Sequence, residues 1–197
     1  MRNLGDPVQG DDLNEEAIER SRALGLAEPL AHGLLDLAAG RLMAGDADGA
    51  VHHLEEARLL EDEEHAFRWR HRLRRRLLEA RHALVTADFE TAAAGAEQLA
   101  DDAAALGVPR HELQARLVGA MARHRAGLPC DAEDVDVWLR GLDRVAGMEA
   151  WWLTADVAEC FGMARWRALA AQRTSDLASA AGPFAPSLRR AAAARFG

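Results

Sequence analysis

A glycine–aspartate pair at Gly45-Asp46, an alanine–aspartate pair at Ala87-Asp88 and a looser break at Gly127 recur at intervals of about forty residues. Between the breaks, apolar residues return at steps of three and four, the period of a helix and not of a strand. Glycine ends a helix cheaply because it enters the left-handed conformation without a side-chain clash, and aspartate caps the helix that follows. A chain broken in this way folds into helical hairpins, and a lone hairpin has no partner for its apolar face. Stacking buries it. The fold class expected is therefore all-α, an α-solenoid of antiparallel helix pairs with about nine to ten helices.

Composition agrees. Among the 197 residues Ile18 is the only isoleucine and tyrosine is absent, so strand-forming residues are scarce, while alanine is abundant. The formal net charge of −8 argues against a general polyanion binder. No apolar run approaches the ~20 residues that span a bilayer, and the opening MRNLGDPVQGDDLNEE is polar and acidic where a secretory signal is basic and then apolar. Cys130 and Cys160 have neither metal-ligand nor disulfide-framework spacing, which fits a reducing cytoplasm. The use of arginine to the exclusion of lysine reads as coding bias in a GC-rich genome.

Residues 1–13 read as a polar lead-in and 14–197 as one domain. A short helix over Asn14 to Leu24 ends at Gly25. The first hairpin covers residues 29–61: Pro29 opens a helix with a stripe of Leu30, Leu34, Leu37, Ala38 and Leu42, and after Gly45 either Asp46 or Asp48 caps a partner with an inner face of Ala50, Val51, Leu54, Ala57 and Leu60. The second, 64–106, pairs a helix striped by Ala66, Trp69, Leu73, Leu77, Ala80 and Leu84 with one carrying Phe89, Ala92, Ala93, Ala96, Leu99, Ala100 and Ala103. The third covers 109–145 with Asp131 as a cap, the fourth covers 148–181 with a turn at Gly162, and a terminal helix occupies 186–196.

These turns resemble tetratricopeptide-type (TPR) repeats: Ala38, Gly45-Asp46, Ala50, Leu54 and Ala57 follow that pattern closely, and Ala80, Ala87-Asp88, Ala92 and Ala96 follow it again. The spacing exceeds the usual ~34 residues, so the helices are longer and the solenoid is TPR-like. The stretches His65 to Leu84, Ala105 to Leu117 and Gly147 to Arg173 are similar to the C-terminal helical-repeat region of large actinobacterial ATP-binding regulators of the MalT-like, LuxR-type class. That resemblance implies a sensor or docking arm. It does not carry over ATP hydrolysis, since a chain without lysine has no Walker A motif, nor operator binding, since no helix-turn-helix follows Gly197.

The arginine cluster over residues 68–76 is the most conspicuous local feature. Arg68, Arg72 and Arg75 fall on one helix line, with Arg70, Arg74 and Arg76 flanking a stripe of Trp69, Leu73 and Leu77 expected to be buried. The candidate interaction surface is Arg68, Trp69, Arg72, Arg75 and Arg76. The competing reading is an internally paired face, because Glu61, Asp62, Glu63, Glu64 and Glu79 lie close by in sequence. His52 and His53 lie within a turn of Glu56, and Glu79-x-x-His82 has half the spacing of a carboxylate-bridged di-iron site without a second copy. Trp151, Trp152 and Trp166 fit either an apolar groove or the core, and the core is the reading taken.

No catalytic, cofactor-binding or metal-binding residue is expected. The function expected is a non-enzymatic helical-repeat scaffold, a sensor or protein-interaction arm in transcriptional regulation or signalling. A protein or peptide is the expected partner, with a small effector as a further ligand and no membrane association. The alternative is nucleic-acid binding through the arginine-rich helix 64–85.

Overall fold

The computed structural model describes residues 7–62, 65–145, 148–182 and 185–196, and every regular element among them is helical. In chain order these are α1 (Pro7–Leu24), α2 (Ala27–Met43), α3 (Ala47–Leu59), α4 (Arg68–Val85), α5 (Phe89–Ala105), α6 (Pro109–Arg125), α7 (Ala132–Val145), α8 (Met148–Cys160), α9 (Ala164–Ala180) and α10 (Ala185–Phe196), with a 3-10 turn at Leu60–Asp62 after α3. The protein is all-α over the described residues.

The turns follow one rule. Gly45 (φ 77°) and Ala87 (φ 62°) occupy the same left-handed position after α2 and α4. Past each, the aspartate N–H donates back into the helix just ended, Asp46 to the Arg41 carbonyl and Asp88 to the Ala83 carbonyl, both at 2.9 Å. The aspartate side chains then face forward: Asp46 accepts from the Gly49 N–H at 2.9 Å and Asp88 from the Thr91 N–H at 3.2 Å, capping α3 and α5. Asp131 likewise accepts from the Glu133 N–H at 2.8 Å ahead of α7.

Each helix packs on the next in sequence, and a second order runs through alternate helices, with α2 against α4, α4 against α6 and α6 against α8. Helix pairs that share both kinds of contact form a stack. Two cores result. Ile18, the α2 residues Leu30, Leu34, Leu35, Leu37 and Leu42, the α3 residues Ala50, Leu54 and Ala57, and Leu78 make the first. The second runs from α4 to α9 and includes Leu73, Leu77, Leu99, Leu117, Val118, Leu139, Leu142, Leu153 and Trp166. Helix α4 contributes to both, Leu78 to one and Leu73, Leu77 and Ala80 to the other. Each fully buried leucine contributes about 1.5–3 kcal/mol relative to exposure. Helices α5 and α6 approach closely because small residues face each other: a Cβ on Gly119 would stand 3.4 Å from the Ala96 Cβ.

Several expectations are corrected. Helix α1 begins at Pro7, inside what the sequence suggested was a polar lead-in. Val51, expected on the inner face of α3, is 41% exposed. Helix α4 starts at Arg68, so Ala66 precedes it and does not join its stripe. Trp69 is 45% exposed, and the buried side of the helix instead carries His71, Leu73, Arg75, Leu77, Leu78, Ala80, Ala83 and Leu84. A stripe phased on Trp69 assumes one covered face, whereas α4 is covered on two sides from His71 onward and leaves its first three residues exposed.

Candidate interaction surface

Because α4 sits between two cores, its charged side chains must either extend past the packing or meet carboxylates at its edges. Arginine suits the second course, since its long stem lies along apolar surface while the guanidinium reaches a partner. Arg74 meets Asp36 of α2 at 2.6 Å. Arg75 donates to Glu61 of the 3-10 turn at 2.6 Å and pairs with Glu79. Arg72 also reaches Glu61, at 3.3 Å. Arg76 pairs with Asp102 of α5, and Arg81 lies 3.9 Å from Asp156 of α8.

The proposed surface is thereby divided. Arg75 is 9% exposed, not part of an outward line. Burial works against its charge, but the hydrogen bond it donates to Glu61 and the charges of Glu79 and Glu61 outweigh it and hold its pKa above the ordinary arginine value. Arg76 and Arg72 keep some exposure yet are tied to other elements. Arg68 and Trp69 remain outward, and the structure adds two residues that helical phasing alone had not singled out as a patch: Phe67, 45% exposed, and Arg70. No described carboxylate pairs with Arg68 or Arg70.

Phe67, Arg68, Trp69 and Arg70 form the start of α4. Phe67 occupies the N-cap position without a side-chain cap, and the first turn contains no acidic residue. Cations at a helix N-terminus oppose the macrodipole, at about 0.3–1 kcal/mol each. The N–H groups of Arg68, Arg70 and His71 are met by the carbonyls of His65 and Phe67, so what the four residues offer is exposed aromatic area and positive charge, a surface suited to an anionic, partly apolar ligand.

Behind this end lies a histidine cluster that no sequence motif signalled, because its members come from three separate segments. The His71 ring centroid stands 5.3 Å from that of His65 and 6.1 Å from that of His32 on α2. Burial, then the charges of His65, His32, Arg70 and Arg74, lowers the His71 pKa to about 4. His71 is thus held neutral between α2 and α4.

Among the described residues no group of histidine, cysteine and carboxylate side chains has the geometry to hold a metal ion. His53 is half-buried and its pKa is lowered, by burial first and by His52 next. Trp166 is buried and donates its indole N–H to Asp136 at 2.6 Å, joining α9 to α7. Hydrogen bonds from Arg165 and then Trp166 hold the Asp136 carboxyl below its usual range. Trp151 and Trp152 are only half-buried and belong to neither core cluster, so of the three tryptophans expected in the core only Trp166 is there. Among the described residues no helix is long and apolar enough to cross a membrane.

Comparison with protein-family models, with curated proteins and with solved structures finds no match for this chain.

Proposed function

We propose that the protein is a non-enzymatic helical-repeat scaffold, a protein-interaction or sensor arm, and that its docking surface is the exposed end of α4 and not the whole arginine helix. The observation that carries this reading is the contrast along one helix. Arg72, Arg74, Arg75, Arg76 and Arg81 are drawn to carboxylates of other elements, while Arg68 and Arg70 stand beside two half-exposed aromatic rings without a described carboxylate partner. Unspent cations at an uncapped helix start cost stability, and such local costs collect at functional positions. An acidic segment with an apolar side chain is the partner this chemistry selects: carboxylates meet Arg68 and Arg70 while Phe67 and Trp69 cover apolar area. The regulatory setting is an inference from the resemblance of His65 to Leu84 and Gly147 to Arg173 to LuxR-type sensor arms. The nucleic-acid alternative gains no support from α4, whose central arginines are neutralised and therefore do not form a continuous basic track.

The test is fluorescence anisotropy with three labelled probes: an acidic Glu/Leu/Phe peptide, its Lys/Leu/Phe counterpart and a DNA duplex. The acidic peptide should bind most tightly, and Arg68→Ala with Arg70→Ala should weaken it roughly tenfold, the worth of about 1.4 kcal/mol. Tighter binding of the duplex, or an acidic-peptide affinity indifferent to both substitutions, overturns the reading.

A further inference from the structure

A second concave feature lies away from α4, in a groove between α5, α6 and the start of α7, with a cavity volume of about 120 Å³. Its floor is made of residues with almost no side chain, Ala93 and Ala100 from α5 and Ala115 and Gly119 from α6. The same close approach of α5 and α6 that requires these small residues leaves the space above them unfilled. Trp138 of α7 supplies an aromatic wall.

The charges around it are unevenly spent. Arg123 reaches Glu97 across the groove at 3.1 Å. Arg116 donates to Glu112 at 2.9 Å and lies over the Trp138 ring, 5.9 Å from its centroid. Both guanidinium groups thus already hold a carboxylate. Asp101 lines the groove with no described counterion. Cys130, also in the lining, has its thiol pushed up by burial first, while the charge of Arg123 lowers it and the smaller influences of Asp134 and Asp131 raise it. An incoming anion would have to displace Glu97 or Glu112, whereas an incoming cation meets Asp101 directly. Size narrows the ligand further, because a cavity of about 150 Å³ accepts benzene, and this smaller one takes a group of roughly six heavy atoms.

We propose that this groove receives one basic side chain of a partner protein, an arginine or lysine whose stem lies on the alanine floor against Trp138 and whose charge faces Asp101. The side chain fills the space and its backbone stays outside, which a 120 Å³ groove requires. This inference shares with the α4 reading only the premise of a protein partner. It uses a different surface and the opposite charge, so either reading fails without the other.

The test is titration of the ¹⁵N-labelled full chain while following the tryptophan indole N–H signals, with the Trp138 signal assigned from Trp138→Phe. The probes are N-acetyl-arginine methylamide and N-acetyl-lysine methylamide, with the norleucine and glutamate analogues and n-butylammonium as controls. The basic probes should move the Trp138 signal saturably in the millimolar range. Asp101→Asn, at an exposed position that leaves the fold intact, should weaken them roughly three- to fivefold, the worth of one part-exposed ion pair. Ala93→Leu, which fills the groove, should abolish the shift. The proposal is overturned by equal binding of the glutamate or norleucine analogue, by affinities unchanged in Asp101→Asn, by the absence of saturable binding, or by binding of n-butylammonium alone, which would identify a free amine as the ligand.

Discussion

At the scale of the residue, Ala87 is the most instructive position. It is the one non-glycine among the described residues with positive φ, and it holds the place that Gly45 holds one repeat earlier. A Cβ in this conformation costs about 1–2 kcal/mol, offset in part because glycine is more disordered in the unfolded chain. Ala87→Gly should therefore stabilise the protein by roughly 1 kcal/mol and Gly45→Ala should destabilise it by a similar amount, both measured as shifts of the urea midpoint with unchanged slope. The turn chemistry was legible in the sequence because it is local: a left-handed residue, an aspartate cap and a following N–H lie within a few positions. The fate of Trp69 was not. Whether an aromatic ring at a helix start is covered depends on how far the neighbouring helices extend, and no window of sequence contains that distance.

Within a single element, α4 shows where periodicity stops being informative. A stripe of threes and fours identified the helix but assumed one buried face, whereas α4 meets α2 on one side and α5 and α6 on others. Arg75, which falls on the outward line of a two-sided helix, is consequently inside, and acids distant in sequence such as Asp36, Asp102 and Asp156 become its helix's counterions. Glu61 and Glu79, near in sequence, were anticipated as internal partners and do pair with Arg75. His71 makes the packing sensitive to pH. Its folded pKa of about 4 lies below the ordinary histidine value of 6.5. The unfolded chain thus binds an extra proton between those values. His71 costs no stability above pH ~6.5, and its contribution falls as pH drops toward ~4. His32, His65, Arg70 and Arg74 all act against protonation. In His71→Leu the loss of stability between pH 6.5 and 4 should shrink by on the order of 1 kcal/mol relative to the parent, as read by denaturant titrations across that window.

Across the whole molecule, the stack of α2, α4, α6 and α8 turns local hairpins into one object, with α4 as the element that both cores share. All-helical character and the helix breaks followed from alanine content and turn residues. The division of α4 into tied and free arginines followed only from the stacking, because the ties cross from one hairpin to the next. That division is the central claim, and thermal unfolding of two variants tests it without any partner. Arg75→Ala leaves Glu61 with Arg72 alone and Glu79 without its partner and should cost about 2 kcal/mol, lowering Tm by roughly 4–8 °C for a chain of this size. The double variant Arg68→Ala, Arg70→Ala should stay within about 0.5 kcal/mol of the parent or rise above it. Equal losses in the two variants, or a larger loss in the double variant, would contradict the account.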